Sequence, residues 1–371
     1  MFNSVKLKLK LKLKLCNYFF KYFQLFYYVK LKFCISTFSF IPLKMKKILP
    51  IFILLLIFGC SKQEKHDYGF YYWRTKLSLN KEEQQVLQQS KVPNLYTRFF
   101  DIDKTNLGFQ ALGTLEVDEN FSPGKKIVPV VFITNRTWEK ISEEEIAFLA
   151  KKLNESVNDI QQKNKLVLGN EIQIDSDWTV KTKDDYFKFL KKLKEISGKE
   201  ITCTLRLHQV KDKTETGIPP VEKMYLMAYA TSSPLENSEK NSILDVDVLK
   251  AYLKNLDDYP VKLDVALPIY SWGIVTNHLG KKKLINALTV EELAQNKNLK
   301  KLNETTFEVQ KDDFYYGFYL NKKFTLKVEE IPEKDVAESL QFIDGKLNYN
   351  FSVVYYHLDS RFTGNYEKLF K

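Results

Sequence analysis

Eight short apolar segments recur along this chain, and amphipathic segments with helical periodicity lie between most of them. The predicted strands are 68–73, 94–100, 127–134, 170–176, 200–207, 223–230, 262–270 and 350–357. The helical pattern covers 80–90, 142–162, 182–197, 244–256, 288–300 and 332–341. Strands that alternate with helices pair in parallel through helical crossovers. The sequence therefore predicts an α/β fold, a (β/α)8 TIM-like barrel over residues 68–371.

Two connections depart from the regular alternation. Residues 101–126 contain Gly and Asn and little helical pattern, which predicts a loop or a small hairpin. Residues 301–330 contain further strand-like runs, which predict a small β insertion before the last barrel strand. A separate β-rich subdomain over 301–350 is the alternative.

The N-terminal part of the chain is predicted to be an export and anchoring region. Met45 begins a short basic start and an apolar run that ends at Gly59 and Cys60, over residues 45–59. This segment resembles a bacterial lipoprotein signal, whose cysteine is lipidated, although Phe58 stands where a smaller residue is common. The apolar run is too short for a transmembrane helix, which needs about 20 apolar residues. An anchor helix that is never cleaved is the alternative.

The segments on either side of this signal complete the prediction. Residues 1–44 are interpreted as a non-translated or dispensable leader, with translation beginning at Met45. Residues 60–67 form a polar, lipidated tether. We therefore expect a lipid-anchored protein of the bacterial cell envelope, at the outer membrane.

The overall charge of +11 comes from the leader. Residues 1–59 hold 11 lysines and no acids, which leaves 46 basic and 46 acidic residues. With no basic stripe, the sequence predicts no nucleic-acid partner. After Cys60 the only cysteine is Cys203, in an apolar strand, so we expect a core residue and no disulfide. No dinucleotide or phosphate-binding glycine motif is present, and no cofactor is predicted.

Most predicted strands end in acidic, aromatic or hydroxyl side chains. Asp175 and Asp177 follow the fourth strand, and two unpaired carboxylates are too costly to leave in a core. The strand ends of a barrel meet at one mouth, so we expect one cleft there. The candidate ligand-binding residues are Trp73, Arg74, Arg98, Arg136, Trp138, Trp178, Arg206, His208, Tyr229, Tyr270, Trp272 and His357.

Two residue types within this set carry the argument. Only five of the 57 basic residues are arginines, and all five lie at predicted strand ends. A planar guanidinium suits fixed ion pairs or bidentate contact with a ligand carboxylate, and both interpretations remain open. All four tryptophans also lie at strand ends, and flat apolar rings suit the faces of sugar rings. The alternative is that these rings close the top of the core.

The segment Ile172–Thr179 resembles the fourth strand of the family 18 glycoside hydrolases, the chitinase-like barrels, which ends in Asp-x-Asp-x-Glu. Tyr225–Tyr229 and Leu263–Tyr270 resemble strands six and seven of the same barrels. The chain looks still closer to an uncharacterised group of bacterial barrel lipoproteins, for which no activity is implied. The resemblance implies a barrel that binds or processes a glycan.

One departure from this pattern bears on catalysis. Asp175 and Asp177 match the two aspartates, but Thr179 stands where the family has the glutamate that protonates the leaving oxygen. A threonine hydroxyl cannot act as a general acid at neutral pH. Either another carboxylate supplies the proton, with Asp359, Asp101 and Glu171 as candidates, or the barrel binds a glycan or a protein without cleavage.

The candidate catalytic residues are therefore Asp175, Asp177 and Asp359. We expect Asp177 to lie nearest the reacting centre, with Arg206 and His208 orienting it or the ligand. Histidines and aspartates at strand ends leave a metal-dependent hydrolase as a further alternative, but no recognised ligand spacing is present, and no metal is predicted.

Overall fold

The computed structural model describes residues 66–122, 124–236 and 239–363. The predicted leader, the signal peptide, Cys60 and the tether up to residue 65 lie outside the described residues. The strands are β1 (Tyr68–Tyr72), β2 (Lys76–Leu77), β3 (Asn94–Thr105), β4 (Gly108–Leu112), β5 (Glu116–Val117), β6 (Lys126–Ile133), β7 (Glu171–Asp175), β8 (Glu200–Leu205), β9 (Lys223–Met227), β10 (Lys262–Pro268), β11 (Trp272–Thr276), β12 (Lys282–Asn286), β13 (Leu299–Lys301), β14 (Thr306–Val309), β15 (Asp313–Tyr315), β16 (Phe318–Leu320), β17 (Thr325–Glu329) and β18 (Val353–Tyr356).

The α-helices lie mainly between the strands of the largest sheet. They are α1 (Lys81–Gln89), α2 (Glu143–Asn164), α3 (Lys183–Ser197), α4 (Leu207–Lys211), α5 (Lys213–Thr216), α6 (Val246–Tyr252), α7 (Val290–Gln295), α8 (Glu333–Lys346) and α9 (Ser360–Thr363). The longest helix, α2, begins at a capping box in which Ser142 and Glu145 satisfy each other's backbone N–H groups.

Eight parallel strands close into a barrel in the order β1-β3-β6-β7-β8-β9-β10-β18. The closure is made by β1, which pairs with β3 on one side and with β18 on the other, so that Phe70 lies beside Leu95 and Tyr355. The predicted (β/α)8 TIM-like barrel is confirmed. Because all eight strands run the same way, their carboxyl ends meet at one mouth.

The apolar side chains of alternate strand positions form two separate cores. In β7, Ile172 and Ile174 face outward and belong to the core between the barrel and the helices. Inside the barrel lies a smaller core rich in tyrosine, which includes Tyr71, Tyr96 and Tyr225. Hydroxyl groups thus line the interior below the mouth.

The two irregular connections form additional β structure. The end of β3 and the following strand β4 form an antiparallel hairpin, and β4 lies outside the barrel. Between β10 and β18 lies a five-stranded antiparallel sheet in the order β12-β11-β17-β14-β13, with its own core around Phe307 and Leu326. The sequence placed the insertion at 301–330, whereas this sheet also includes β11 and β12. Within the described residues no helix is long and apolar enough to cross a membrane.

Candidate functional site

A cavity of about 650 Å³ opens at the carboxyl ends of the barrel strands. Its walls come from all eight barrel strands or the residues that follow them, and from β11, β12 and α9. The lining residues are Trp73, Arg74, Asp101, Phe132, Asp175, Arg206, Met227, Tyr229, Ala230, Tyr270, Ser271, Trp272, Asn286, Tyr356, His357, Arg361 and Phe362. The volume lies in the range of small-molecule binding sites.

Asp175 is the last residue of β7 and the deepest carboxylate of the cavity. Glu171, Gln173 and Asp175 occupy alternate positions of the strand and face the barrel interior. The Asp175 carboxylate accepts a hydrogen bond of 2.7 Å from the Thr204 hydroxyl. Burial raises the pKa of Asp175, and the nearby Arg206 guanidinium only partly opposes that shift.

Asp177 lies at the rim, and Arg206 holds it. The Arg206 guanidinium donates through Nε to Oδ1 and through Nη2 to Oδ2, the second bond at 3.1 Å. Such a bidentate pair fixes the orientation of both groups. Arg206 directly follows β8 and also lines the cavity, so it links the rim carboxylate to the cavity wall.

Five aromatic side chains form a continuous aromatic arc, which we define as Trp73, Tyr229, Tyr270, Trp272 and Tyr356. Tyr229 stacks on Tyr356 with ring centroids 5.6 Å apart, and Trp73 lies 5.6 Å from Tyr356. Tyr270 makes an edge contact with Trp272 at 5.3 Å. Four of the rings end or follow β9, β10, β18 and β1, which are consecutive in the barrel, and the fifth, Trp272, begins β11 of the inserted sheet.

A second group of residues at the mouth is the acidic arc. We define it as Asp101, Asp175 and Asp177 with Arg206, which come from β3, from β7 and the segment after it, and from the residue after β8. Asp101, Asp175 and Arg206 line the cavity, whereas Asp177 lies outside its lining. Because these residues come from the half of the barrel formed by β3, β6, β7 and β8, the mouth has an aromatic portion and a charged portion. A sugar ring placed between them would meet both apolar faces and hydrogen-bonding groups.

The inserted sheet contributes directly to the aromatic arc. Trp272 is the first residue of β11, and its indole N–H donates to Glu329 of β17 at 2.9 Å. The buried Glu329 carboxylate also accepts from the backbone N–H of Ser242 at 3.0 Å and from Lys327 at 3.0 Å. With its N–H satisfied away from the cavity, Trp272 presents its ring to the mouth.

Arg74, Arg361 and His357 line the cavity on the side of β1 and β18. Burial lowers the pKa of His357 to about 4, and the two arginines act in the same direction, while Asp359 opposes them. His357 is therefore neutral at neutral pH. The arginines carry the positive charge of this part of the wall.

Comparison with solved structures finds barrels of the same architecture. The Bacillus megaterium spore cortex-lytic enzyme SleL superimposes with a TM-score of 0.52 at 13% identity, covering 83% of this chain and 74% of that chain. The Bacillus cereus SleL gives 0.50 at 13%, covering 82% and 73%. A chitinase from Chromobacterium violaceum gives 0.50 at 11%, covering 82% and 98%. No family model matches the chain, and no curated protein matches its sequence.

The chain has the fold of the chitinase-like barrels. At these identities the likeness is one of backbone fold. The chitinase-like barrel of this chain differs from the sequence-based expectation at several of the candidate residues, because many of them have partners inside the protein.

Two of the four tryptophans do not reach the mouth of this chitinase-like barrel. Trp138 and Trp178 are fully buried in the layer between the barrel and α3, where both contact Tyr186. Their indole N–H groups donate to the Ser176 hydroxyl at 2.9 Å and to the Thr216 carbonyl at 3.0 Å. Trp73 and Trp272, in contrast, line the cavity.

Every arginine forms an ion pair with a carboxylate. For the arginines that do not line the cavity, this favours a structural role over contact with a ligand. Arg98 binds Asp101 at 2.8 and 2.7 Å and also donates to the Gly113 carbonyl. Arg136 binds Asp103 in the same bidentate manner, outside the cavity lining. Arg74, Arg206 and Arg361 combine an ion pair with a place in the cavity wall.

The remaining candidates divide between the rim and positions behind it. His208 lies near the start of α4 with much of its side chain exposed; partial desolvation of its ring lowers its pKa, and Asp177 opposes this shift. The Asp359 carboxylate is buried and binds Arg361, so it lies behind the cavity wall. The Thr179 hydroxyl pairs with Thr182 at 3.2 Å and does not line the cavity.

Glu171 lies on the barrel floor, where it accepts from Thr202 at 2.7 Å and from Tyr225 at 3.0 Å. It is thus two strand positions below Gln173 and four below Asp175, away from the mouth. Among the described residues no group of three or more His, Cys, Asp or Glu side chains is placed to hold a metal ion.

Several cavity residues are not among the candidates that the sequence predicts, and Tyr356 and Asn286 are two of them. Tyr356 follows Tyr355 directly, and the alternation of β18 sends one ring into each core, so the pattern contained a usable signal. Arg361 is one of the five arginines expected around the cleft, and it lines the cavity. Asn286 ends β12 of the inserted sheet, and no local signal connects that strand with the barrel mouth.

Proposed function

We propose that this chain binds a glycan at the mouth of its chitinase-like barrel. The observation that carries the proposal is the aromatic arc. Its five rings, four from consecutive barrel strands and one from the inserted sheet, line a cavity that Asp101, Asp175 and Arg206 also line. Aromatic faces bind the C–H faces of sugar rings, and carboxylate and guanidinium groups orient the hydroxyls.

Hydrolysis of the bound glycan is the second candidate. It is favoured by Asp175, a buried carboxyl group in the cavity wall whose pKa is raised, as is required of a group that must hold a proton. Against it stand Thr179 at the position of the family's acid and the bidentate pairing of Asp177 with Arg206. Binding without cleavage, of a glycan or of a protein, remains the alternative that these two features support.

The test is an oligosaccharide array with the wild type, Trp272→Ala and Asp175→Asn. Removal of the Trp272 ring should weaken binding by roughly 10-fold, the equivalent of about 1.4 kcal/mol of stacking. Phe148→Ala is a matched control, because Phe148 is an exposed ring on the outer helix α2. The affinity of this control should equal that of the wild type.

The same samples separate binding from processing. Release of reducing ends by the wild type, lost in Asp175→Asn, would establish hydrolysis. Binding that survives without any released sugar would establish a non-catalytic barrel. If no oligosaccharide binds, or if Trp272→Ala binds as tightly as the wild type, the glycan proposal is wrong.

We also propose that the protein is anchored in the bacterial envelope, at the outer membrane, through a lipid on Cys60. The apolar run before Gly59 and Cys60 supports this proposal. Labelling with a fatty-acid analogue should mark the wild type and not Cys60→Ala. Equal labelling of both proteins, or recovery of the wild type in the soluble fraction, would contradict the anchor.

A further inference from the structure

Arg74 and Arg361 form a cationic pair of residues in the cavity wall. Arg74 follows β1, and Arg361 lies in α9 after β18, and these two strands are neighbours in the barrel. Both side chains line the cavity beside His357. The two guanidinium groups are close enough that both affect the ionisation of His357.

The carboxylates that partner these arginines lie behind them. Glu83 accepts from Arg74 Nη2 at 2.8 Å, and its side chain is 1% exposed while that of Arg74 is 32% exposed. Asp359 accepts from Arg361 Nη2 at 2.7 Å, and the corresponding exposures are 3% and 56%. The cations therefore face the cavity, and the anions face the protein.

Further hydrogen bonds fix both carboxylates in these positions. Glu83 is part of the capping box of α1 with Asn80, and its other oxygen accepts from the backbone N–H of Ser360 at 2.9 Å. Asp359 accepts from the backbone N–H of Arg361 at 3.0 Å. The carboxylates of Glu83 and Asp359 therefore cannot move into the cavity without breaking these hydrogen bonds.

Each guanidinium retains donors beyond its ion pair. Arg361 uses Nε and Nη2 for Asp359, and a guanidinium has five N–H donors. Arg74 uses Nη2 for Glu83 and for the Ser78 carbonyl, while its buried Nε has no hydrogen-bond partner among the described residues.

Resting on the proposed glycan site, we infer that the glycan carries a carboxylate and that Arg74 and Arg361 bind it. Two planar forks of donors match the planar oxygens of a carboxylate. A neutral sugar hydroxyl would use only part of this donor set. Because Glu83 and Asp359 are buried behind the arginines, their negative charges lie farther from a bound carboxylate than the guanidinium groups do.

The test uses an oligosaccharide array in which every acidic member is also present with its carboxylates reduced to alcohols. The proteins are the wild type, Arg361→Gln, Arg361→Lys and Arg74→Gln. Lys188→Gln is the control, because it removes one positive charge from the outer helix α3. Melting temperatures of all variants establish that they are folded.

The wild type should bind the acidic member of a pair at least about 10-fold more tightly than the reduced member, as expected for hydrogen bonds to a charged group. Arg361→Gln and Arg74→Gln should lose that preference and keep the affinity for the reduced member, and Arg361→Lys should retain part of it. Lys188→Gln should behave as the wild type.

Two outcomes would overturn the inference. Equal affinity for both members of every bound pair would leave a glycan site without a carboxylate subsite. A preference that survives in Arg361→Gln and Arg74→Gln would place the subsite elsewhere. If no member of the array binds, the proposed glycan function fails together with the inference, and the first two outcomes are distinct from this one.

Discussion

The mouth of the barrel and the layer beneath α3 contain the same residue type in the same sequence context. Trp73 and Trp272 follow barrel strands and line the cavity, whereas Trp138 and Trp178 follow barrel strands and are fully buried. The difference arises in the turn after each strand. After β6 the chain forms a 3-10 helix, Asn135–Trp138, and the indole at its end packs against Phe189 of α3. An aromatic residue after a strand therefore lies near the rim of the barrel, and the conformation of the following turn determines whether its ring faces the cavity or the helix layer.

The largest expected effect is the contrast between Trp178→Ala and Trp272→Ala in stability. Trp178→Ala removes a fully buried ring and the hydrogen bond to Thr216, so the free energy of unfolding should fall by about 3–5 kcal/mol. Trp272→Ala removes a partly exposed ring at the mouth and should cost less than half of that. Chemical denaturation of the two variants measures the difference.

Glycan binding should show the reverse order. Trp272→Ala should lose affinity, while Trp178→Ala, assayed under conditions in which it is folded, should bind as the wild type does. If the two variants are equally destabilised, or if they lose affinity to the same extent, then the cavity-lining and the buried tryptophans do not have different roles.

Strand and helix positions could be predicted because each depends on local periodicity. The apolar alternation of β7 and the capped, periodic pattern of α2 are visible without knowledge of the neighbouring elements. The closure of the barrel follows from the number of strands. The candidate site was predictable to the extent that it lies at strand ends, as Asp175 and Arg206 do.

The partners of the charged residues could not be predicted, since they depend on local irregularities. Arg98 and Asp101 are three residues apart on β3, and regular alternation would send them to opposite faces. A register shift between Arg98 and Phe100 in the pairing with β6 places both on one side, and they form an ion pair. Asn286 reaches the mouth only because the inserted sheet folds back toward it.

A smaller effect is expected from Glu329, which supports Trp272 from the inserted sheet. Glu329→Ala leaves the Trp272 N–H and the Ser242 N–H without their acceptor, so the free energy of unfolding should fall by about 1–3 kcal/mol. Glu329→Gln keeps one acceptor oxygen and should lose less. Denaturation and Trp272 fluorescence measure the change.

The readout that separates positioning from simple support is the affinity for the glycan. If Glu329 positions the Trp272 ring, Glu329→Ala should weaken glycan binding. Glu329→Gln, which keeps an acceptor for the indole N–H, should bind the glycan with nearly the wild-type affinity. If Glu329→Ala is destabilised but its affinity for the glycan is unchanged, Glu329 stabilises the fold and does not position the Trp272 ring.

The smallest expected effect concerns the buried carboxylates on the two sides of the mouth. The Glu329 carboxylate accepts from Lys327 and from the Ser242 backbone N–H, whereas the Asp175 carboxylate accepts a hydrogen bond from the neutral Thr204 hydroxyl. Burial raises the pKa of Asp175, so its ionisation is less favourable in the folded state than in the unfolded state. The contribution of Asp175 to stability is then fully present below its unfolded pKa of about 3.9 and is lost as the pH rises through the folded value.

The free energy of unfolding of the wild type, minus that of Asp175→Asn, should therefore decrease as the pH rises from about 4 towards neutrality. Asp184→Asn, which changes an exposed carboxylate of α3, supplies the matched baseline. Denaturation at a series of pH values gives the sign directly. A difference that grows with pH would mean that Asp175 is stabilised in its charged form, and the acidic arc would then be a set of braced ion pairs with no carboxyl group able to retain a proton for the glycan.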